Sequence, residues 1–66
     1  MIGERLKVGD LIEVDCIKKP LTVTFVGGAV AVAKTPRGST WDICENIHTK
    51  ELIANNGPRF SLVTIV

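Results

Sequence analysis

Residues 21–34 read Leu-Thr-Val-Thr-Phe-Val-Gly-Gly-Ala-Val-Ala-Val-Ala-Lys, two alternating apolar stretches hinged on Gly27-Gly28. Successive side chains of a strand leave opposite faces, so period-two alternation is the pattern of a half-buried strand. A Gly-Gly pair supplies the positive φ angles of a two-residue hairpin turn. The segment is therefore expected to form a β-hairpin. On its first arm Leu21, Val23 and Phe25 share a face against Thr22 and Thr24. On its second, Val30 and Val32 oppose Ala29, Ala31 and Ala33. The larger side chains, Val23, Phe25, Val30 and Val32, are expected to build the core with Ile43.

The same reading extends along the chain. Lys7-Val8-Gly9-Asp10 is a turn that launches a strand over 11–17, with Ile12, Val14 and Cys16 on one face and Glu13 and Asp15 on the other. Lys18-Lys19-Pro20 ends it, because proline cannot donate to a ladder. The polar run 34–39, punctuated by Pro36 and Gly38, leads into a strand over 40–44 that turns Trp41 and Ile43 inward. Between Glu45 and Asn56 the apolar positions follow neither period for long, and one or two helical turns are expected there. Asn55-Asn56-Gly57-Pro58 stops that segment, and 59–66 reads as a last strand.

Five short strands joined by tight turns, with helical turns before the last, resemble the small SH3-like barrels. The opening Lys-Val-Gly-Asp-Leu-Ile-Glu-Val of residues 7–14 is similar to the first strand of many of them. The resemblance implies an all-β, mainly antiparallel barrel or rolled sheet spanning one domain, residues 1–66. It does not extend to the proline-rich peptide site of SH3 domains. The link Lys18-Lys19-Pro20 is shorter than the long first loop of that site, and the chain has no tyrosine and one tryptophan.

A chain of 66 residues is near the lower limit for a self-sufficient core, so a disulfide, a metal or a partner often supplements burial. No run approaches the ~20 apolar residues of a membrane span, and residues 1–7 lack the pattern of a signal peptide, so a cytoplasmic location is expected. Cys16 and Cys44 show no Cys-x-x-Cys spacing and are expected to be buried free thiols.

Little in the sequence points to catalysis. His48 would have to work with Cys16 or Cys44 as nucleophile and Asp42 as orienter, and the spacing supports no such triad. The same residues offer at most three zinc ligands at unconventional spacing. No glycine-rich phosphate cradle is present. No enzyme activity, cofactor or metal is expected.

Two kinds of binding remain. The first is protein assembly: apolar residues form 45% of the chain, and residues 62–66 run apolar on both faces, an association hazard for an uncovered strand edge. This reading expects a homo-oligomer or another protein partner, with Ala29, Ala31, Ala33, Leu62, Val63 and Ile65 at the interface. The alternative is nucleic acid, held by the basic residues Lys18, Lys19, Lys34, Arg37 and Arg59 with Trp41 stacking a base. The net charge of +1 gives that alternative no help.

Overall fold

Each alternating segment turns back tightly on its predecessor, so consecutive strands become neighbours in space. The computed structural model describes residues 2–66, and there the meander closes on itself as an antiparallel barrel with strand order β1-β2-β3-β4-β5-β6. The strands are β1 (Leu11–Val14), β2 (Leu21–Val26), β3 (Val30–Lys34), β4 (Thr40–Glu45), β5 (Leu52–Asn56) and β6 (Arg59–Ile65), after a 3-10 turn at Ile2–Glu4. Closure is made by β6 returning to β1, with Ile12 opposite Ile65 and Val14 opposite Val63.

The expected all-β antiparallel barrel is thus present, with six strands in place of five. The segment expected to hold helical turns is a hairpin, β4 to β5. In its loop the Asn46 side-chain oxygen accepts the backbone N–H groups of His48 (2.9 Å) and Thr49 (3.2 Å), and Lys50 takes a positive φ of 66°. Asparagine held by its own following amides forms turns readily. Leu52 and Ala54 then point inward across β5. Residues 55–58 do not end a helix. Asn55 and Asn56 complete β5, and Gly57-Pro58 form the two-residue turn to β6, with Gly57 at φ 60° in the first central position, where a type II′ turn favours glycine. β1 is also shorter than expected: Ile17 N–H donates to the Val14 carbonyl and closes a turn, which leaves Cys16 exposed instead of buried.

The largest correction concerns which face of the first hairpin is inside. The register passes from Val23 opposite Ala33 to Phe25 opposite Val32, so Thr24 is an extra residue, a β-bulge. A bulge exchanges the faces of everything beyond it. Phe25, expected in the core, is 54% exposed, and Val26 packs against the core in its place. On β3 the interior positions are Ala31 and Ala33, both 0% exposed, whereas Val30 is exposed and Val32 half-buried. The reason is volume. Ala31 lies opposite Ile43 and Ala33 opposite Trp41 on β4, and a small barrel has room for large side chains only where the facing ones are small. Ala31 and Ala33 are therefore used up in the barrel's own core, and of the three alanines expected at an interface only Ala29 is exposed.

The hairpin turns one residue later than expected: Gly27 N–H donates to the Val30 carbonyl (2.7 Å), so Gly28 and Ala29 are the central pair, and Gly27 takes no positive φ. Gly27 is needed for space: a Cβ there would meet the Val30 carbonyl oxygen at 3.2 Å and the Phe25 ring at 3.4 Å.

The N-terminal segment closes one end of the barrel. Ile2 and Leu6 are buried in the core cluster, and Arg5 donates to Glu45 (3.0 Å) and to the Lys50 carbonyl (2.6 Å), tying the segment to the β4–β5 loop. The β2–β3 and β4–β5 turns share this stoppered end. The β1–β2, β3–β4 and β5–β6 connections share the other.

The inverted facing is checked by two substitutions under chemical denaturation. Ala31→Leu should destabilise the fold by about 1–3 kcal/mol through overpacking, whereas Phe25→Ala should cost under about 1 kcal/mol because its ring is outside the core.

Candidate nucleic-acid interface

The end of the barrel left open by the N-terminal segment is a cleft of about 520 Å³, and every connection at that end contributes to it. Ile17, Lys18 and Lys19 come from the β1–β2 link, Thr35, Pro36, Arg37 and Ser39 from the β3–β4 loop, and Asn56 and Arg59 from the β5–β6 hairpin, with Trp41 of β4 beneath.

Each loop is held by its own local chemistry. In the β3–β4 loop Gly38 N–H donates to the Thr35 carbonyl (2.9 Å), Thr35 N–H to the Ser39 carbonyl (2.9 Å), and Ser39 N–H to Thr35 Oγ1 (3.1 Å). Pro36 sits in the first central position, which its fixed φ favours, and Gly38 follows at φ 93°. That is a three-residue hairpin loop whose apex is Arg37. In the β1–β2 link Ile17 is half-buried against the core and anchors Lys18 and Lys19 at the rim. Asn56 Nδ2 donates to the Thr40 carbonyl (3.4 Å), joining the third loop to the start of β4.

The charge lining the cleft is one-sided. Four of the chain's eight basic residues line the cleft and none of its seven acidic residues does. Among the described residues the ion pair present, Arg5 with Glu45 at 3.0 Å, lies at the stoppered end. Lys18, Lys19, Arg37 and Arg59 therefore face water without a carboxylate partner, in a concave site where their fields add. The net charge of +1 conceals this concentration.

The structure thus brings together five of the six residues singled out for nucleic acid: Lys18, Lys19, Arg37, Trp41 and Arg59. Lys34 ends β3 beside Thr35, exposed but outside the lining. Trp41 faces inward as its alternation predicts, a position that does not suit the stacking role. It is 4% exposed and part of the core, so its indole is the floor of the cleft and offers no face on which a base can stack. Ile17 and Asn56 were missed. Asn56 was signalled by the Asn-Gly-Pro turn, which sets it opposite Arg59.

The residues weighed for catalysis or metal are scattered. Cys44 lies on β4, where its Sγ accepts from Asn55 Nδ2 at 3.5 Å, Cys16 is exposed beyond β1, and His48 is in the loop at the stoppered end. Among the described residues no three histidine, cysteine or acidic side chains are grouped to hold a metal ion. No described helix is long and apolar enough to cross a membrane.

Comparison with known families, curated proteins and solved structures finds no match to this chain.

The floor position of Trp41 is checked by collisional quenching. Its fluorescence should resist iodide and acrylamide in the folded protein and become fully quenchable on unfolding.

Proposed function

We propose that the protein is a non-catalytic module that binds nucleic acid through the open end of its barrel. The observation that carries this reading is the convergence of Lys18, Lys19, Arg37 and Arg59, from three separate loops, on one cleft with no carboxylate. Unpaired cations on short connections suit a phosphodiester chain: the backbone that carries them is already placed by the barrel, and each neutralised phosphate releases a counterion. The guanidinium groups of Arg37 and Arg59 can grip phosphate oxygens in pairs. The reading places the protein in the cytoplasm, where nucleic acid is accessible and an exposed thiol such as Cys16 stays reduced. The short meander and the opening of residues 7–14 support an SH3-like kinship for the barrel, without the peptide site.

The test is a titration of the full chain with a labelled oligonucleotide of about twelve nucleotides at several salt concentrations. With four cations at the cleft, log affinity should fall with log salt at a slope of about −3 for a single strand. The double substitution Lys18→Glu with Arg37→Glu should weaken binding at least about tenfold while leaving the fold intact, since both side chains are exposed. A salt-independent affinity, or one unaffected by the double substitution, would remove the cleft from the interaction.

Protein assembly is a second reading, favoured by one observation on the outer face. There Val30, Cys44, Ile53 and Leu62 stand directly opposite one another across β3, β4, β5 and β6, a continuous apolar row with Val30 and Leu62 exposed. The strand-edge argument no longer applies, because β6 is paired on both edges, and association has only side-chain faces to use. Of the interface residues named from sequence, Leu62 remains on this face, Val63 packs against the core opposite Val14, Ile65 is 40% exposed at the end of β6 although opposite buried Ile12, and Ala29 is exposed at the β2–β3 turn. Sedimentation equilibrium at tens of micromolar should then show a species above 7.1 kDa that Leu62→Lys dissociates. A monomer at that concentration would dismiss this reading.

A further inference from the structure

We infer that the ligand of the basic cleft is a single-stranded nucleic acid, and that Phe60 on the outer lip of the barrel is the surface on which one of its bases stacks. The inference rests on the cleft reading above and adds to it the class of strand and the residue that selects it.

The cleft alone recognises phosphate. Its aromatic residue, Trp41, is covered, and the other groups at its rim are cations, hydroxyls, an amide and aliphatic carbons. A duplex presents little beyond its phosphates to such a site, since its base faces are hidden in the stack. A single strand also has unstacked bases, and the usual device for holding them is an exposed aromatic ring beside a basic groove.

β6 supplies that ring. Its inward positions pair with inward positions of β5 and β1, and at the open end this parity brings Asn56 and Arg59 over the mouth. The next residue, Phe60, is on the outer face, about 3.4 Å further along the strand. It is 74% exposed, the most exposed large apolar side chain among the described residues. Arg59 and Phe60 thus present a phosphate-binding group and a π-face at consecutive positions on either side of the barrel's lip. A strand held by its phosphate at Arg59 can rotate a base outward onto the ring.

The surroundings of Phe60 distinguish it from the apolar row further along β6. Leu62 has an apolar cross-strand partner in Ile53, as packing surfaces do, but Phe60 is opposite Asn55, which is in turn opposite Asp42. The cross-strand row from Phe60 through Asn55 to Asp42 holds no cation, whereas the basic residues line the mouth, so the phosphates bind at the mouth and the outer lip is left to an uncharged base.

The test compares four probes on the full-length protein: single-stranded RNA and DNA of one mixed sequence, the corresponding DNA duplex, and inorganic polyphosphate, which carries the charge without bases. Wild-type protein should bind at least one of the single strands more tightly than the duplex. Phe60→Ala should weaken single-strand binding by about tenfold and leave polyphosphate affinity unchanged, and Phe60→Trp should restore it. The indole introduced by Phe60→Trp, exposed unlike Trp41, should lose fluorescence on adding the single strand and not on adding polyphosphate. Equal affinity for single strand and duplex, or a Phe60→Ala variant that binds both strand and polyphosphate as wild type does, overturns the inference and leaves the phosphate-binding cleft standing. Failure of the wild type to bind any of the four probes overturns both. If Phe60→Ala instead abolishes a dimer and leaves single-strand affinity intact, the ring belongs to a protein interface and the inference fails.

Discussion

The narrow interior of a six-stranded barrel is the constraint on which the rest of this structure depends. Closing β6 onto β1 satisfies the backbone of every strand but leaves a lumen that a few side chains fill. Trp41 and Ile43 occupy much of it, and the strand beside them must present Ala31 and Ala33 inward. Because β2 has to match β3, the bulge at Thr24 brings Val23 and Val26 inward opposite those alanines and sends Phe25 out. One volume requirement thus decides the facing of three strands. It also explains why a chain so rich in apolar residues still carries valine, leucine and phenylalanine on its surface: the lumen was full.

The two ends of the barrel solve the problem of the exposed core differently. In an up-and-down meander, odd-numbered connections lie at one end and even-numbered ones at the other. At the even end the core is covered by the chain itself, with Ile2 and Leu6 as the stopper and Arg5 fastened to Glu45 and Lys50. At the odd end Trp41 closes the lumen from below and the loops stand above it without covering it. Lys18 and Lys19 in the first connection, Arg37 in the third and Arg59 after the fifth are far apart in sequence. Topology alone assembles them.

That division explains how much was legible in the sequence. Strand content, the inward Trp41 and Ile43, and the short loops followed from alternation and from proline and glycine punctuation. The basic residues of the cleft were identified because each sits in or beside a turn, although their meeting at one end required the parity of the meander. The bulge was not legible. Thr24 is an ordinary strand residue, and the alternation of 21–26 reads smoothly through it, so a local pattern pointed Phe25 inward and only the lumen's limited volume turned it out. The β4–β5 hairpin was missed for a related reason: Asn46, which organises its loop, lies in a segment whose apolar spacing resembles a frayed helix as much as a strand.

Closure of the sheet also narrows what binding can look like. A barrel without free edges cannot recruit a partner by adding a strand, so any interaction must use side chains on the outer faces or the mouth. On the outer face the apolar row from Val30 to Leu62 is flat and continuous, suited to another surface. At the mouth the groups are charged, unpaired and carried by connections of two to six residues, of which the β3–β4 loop has its hydrogen bonds already made. Cations on a placed backbone around a concavity lose only side-chain freedom on meeting an anion, whereas the same residues spread on flexible loops would have to be ordered first. On the proposed reading, compact loops are therefore also what suits the open end to an anion, while the stopper covers the core at the other end.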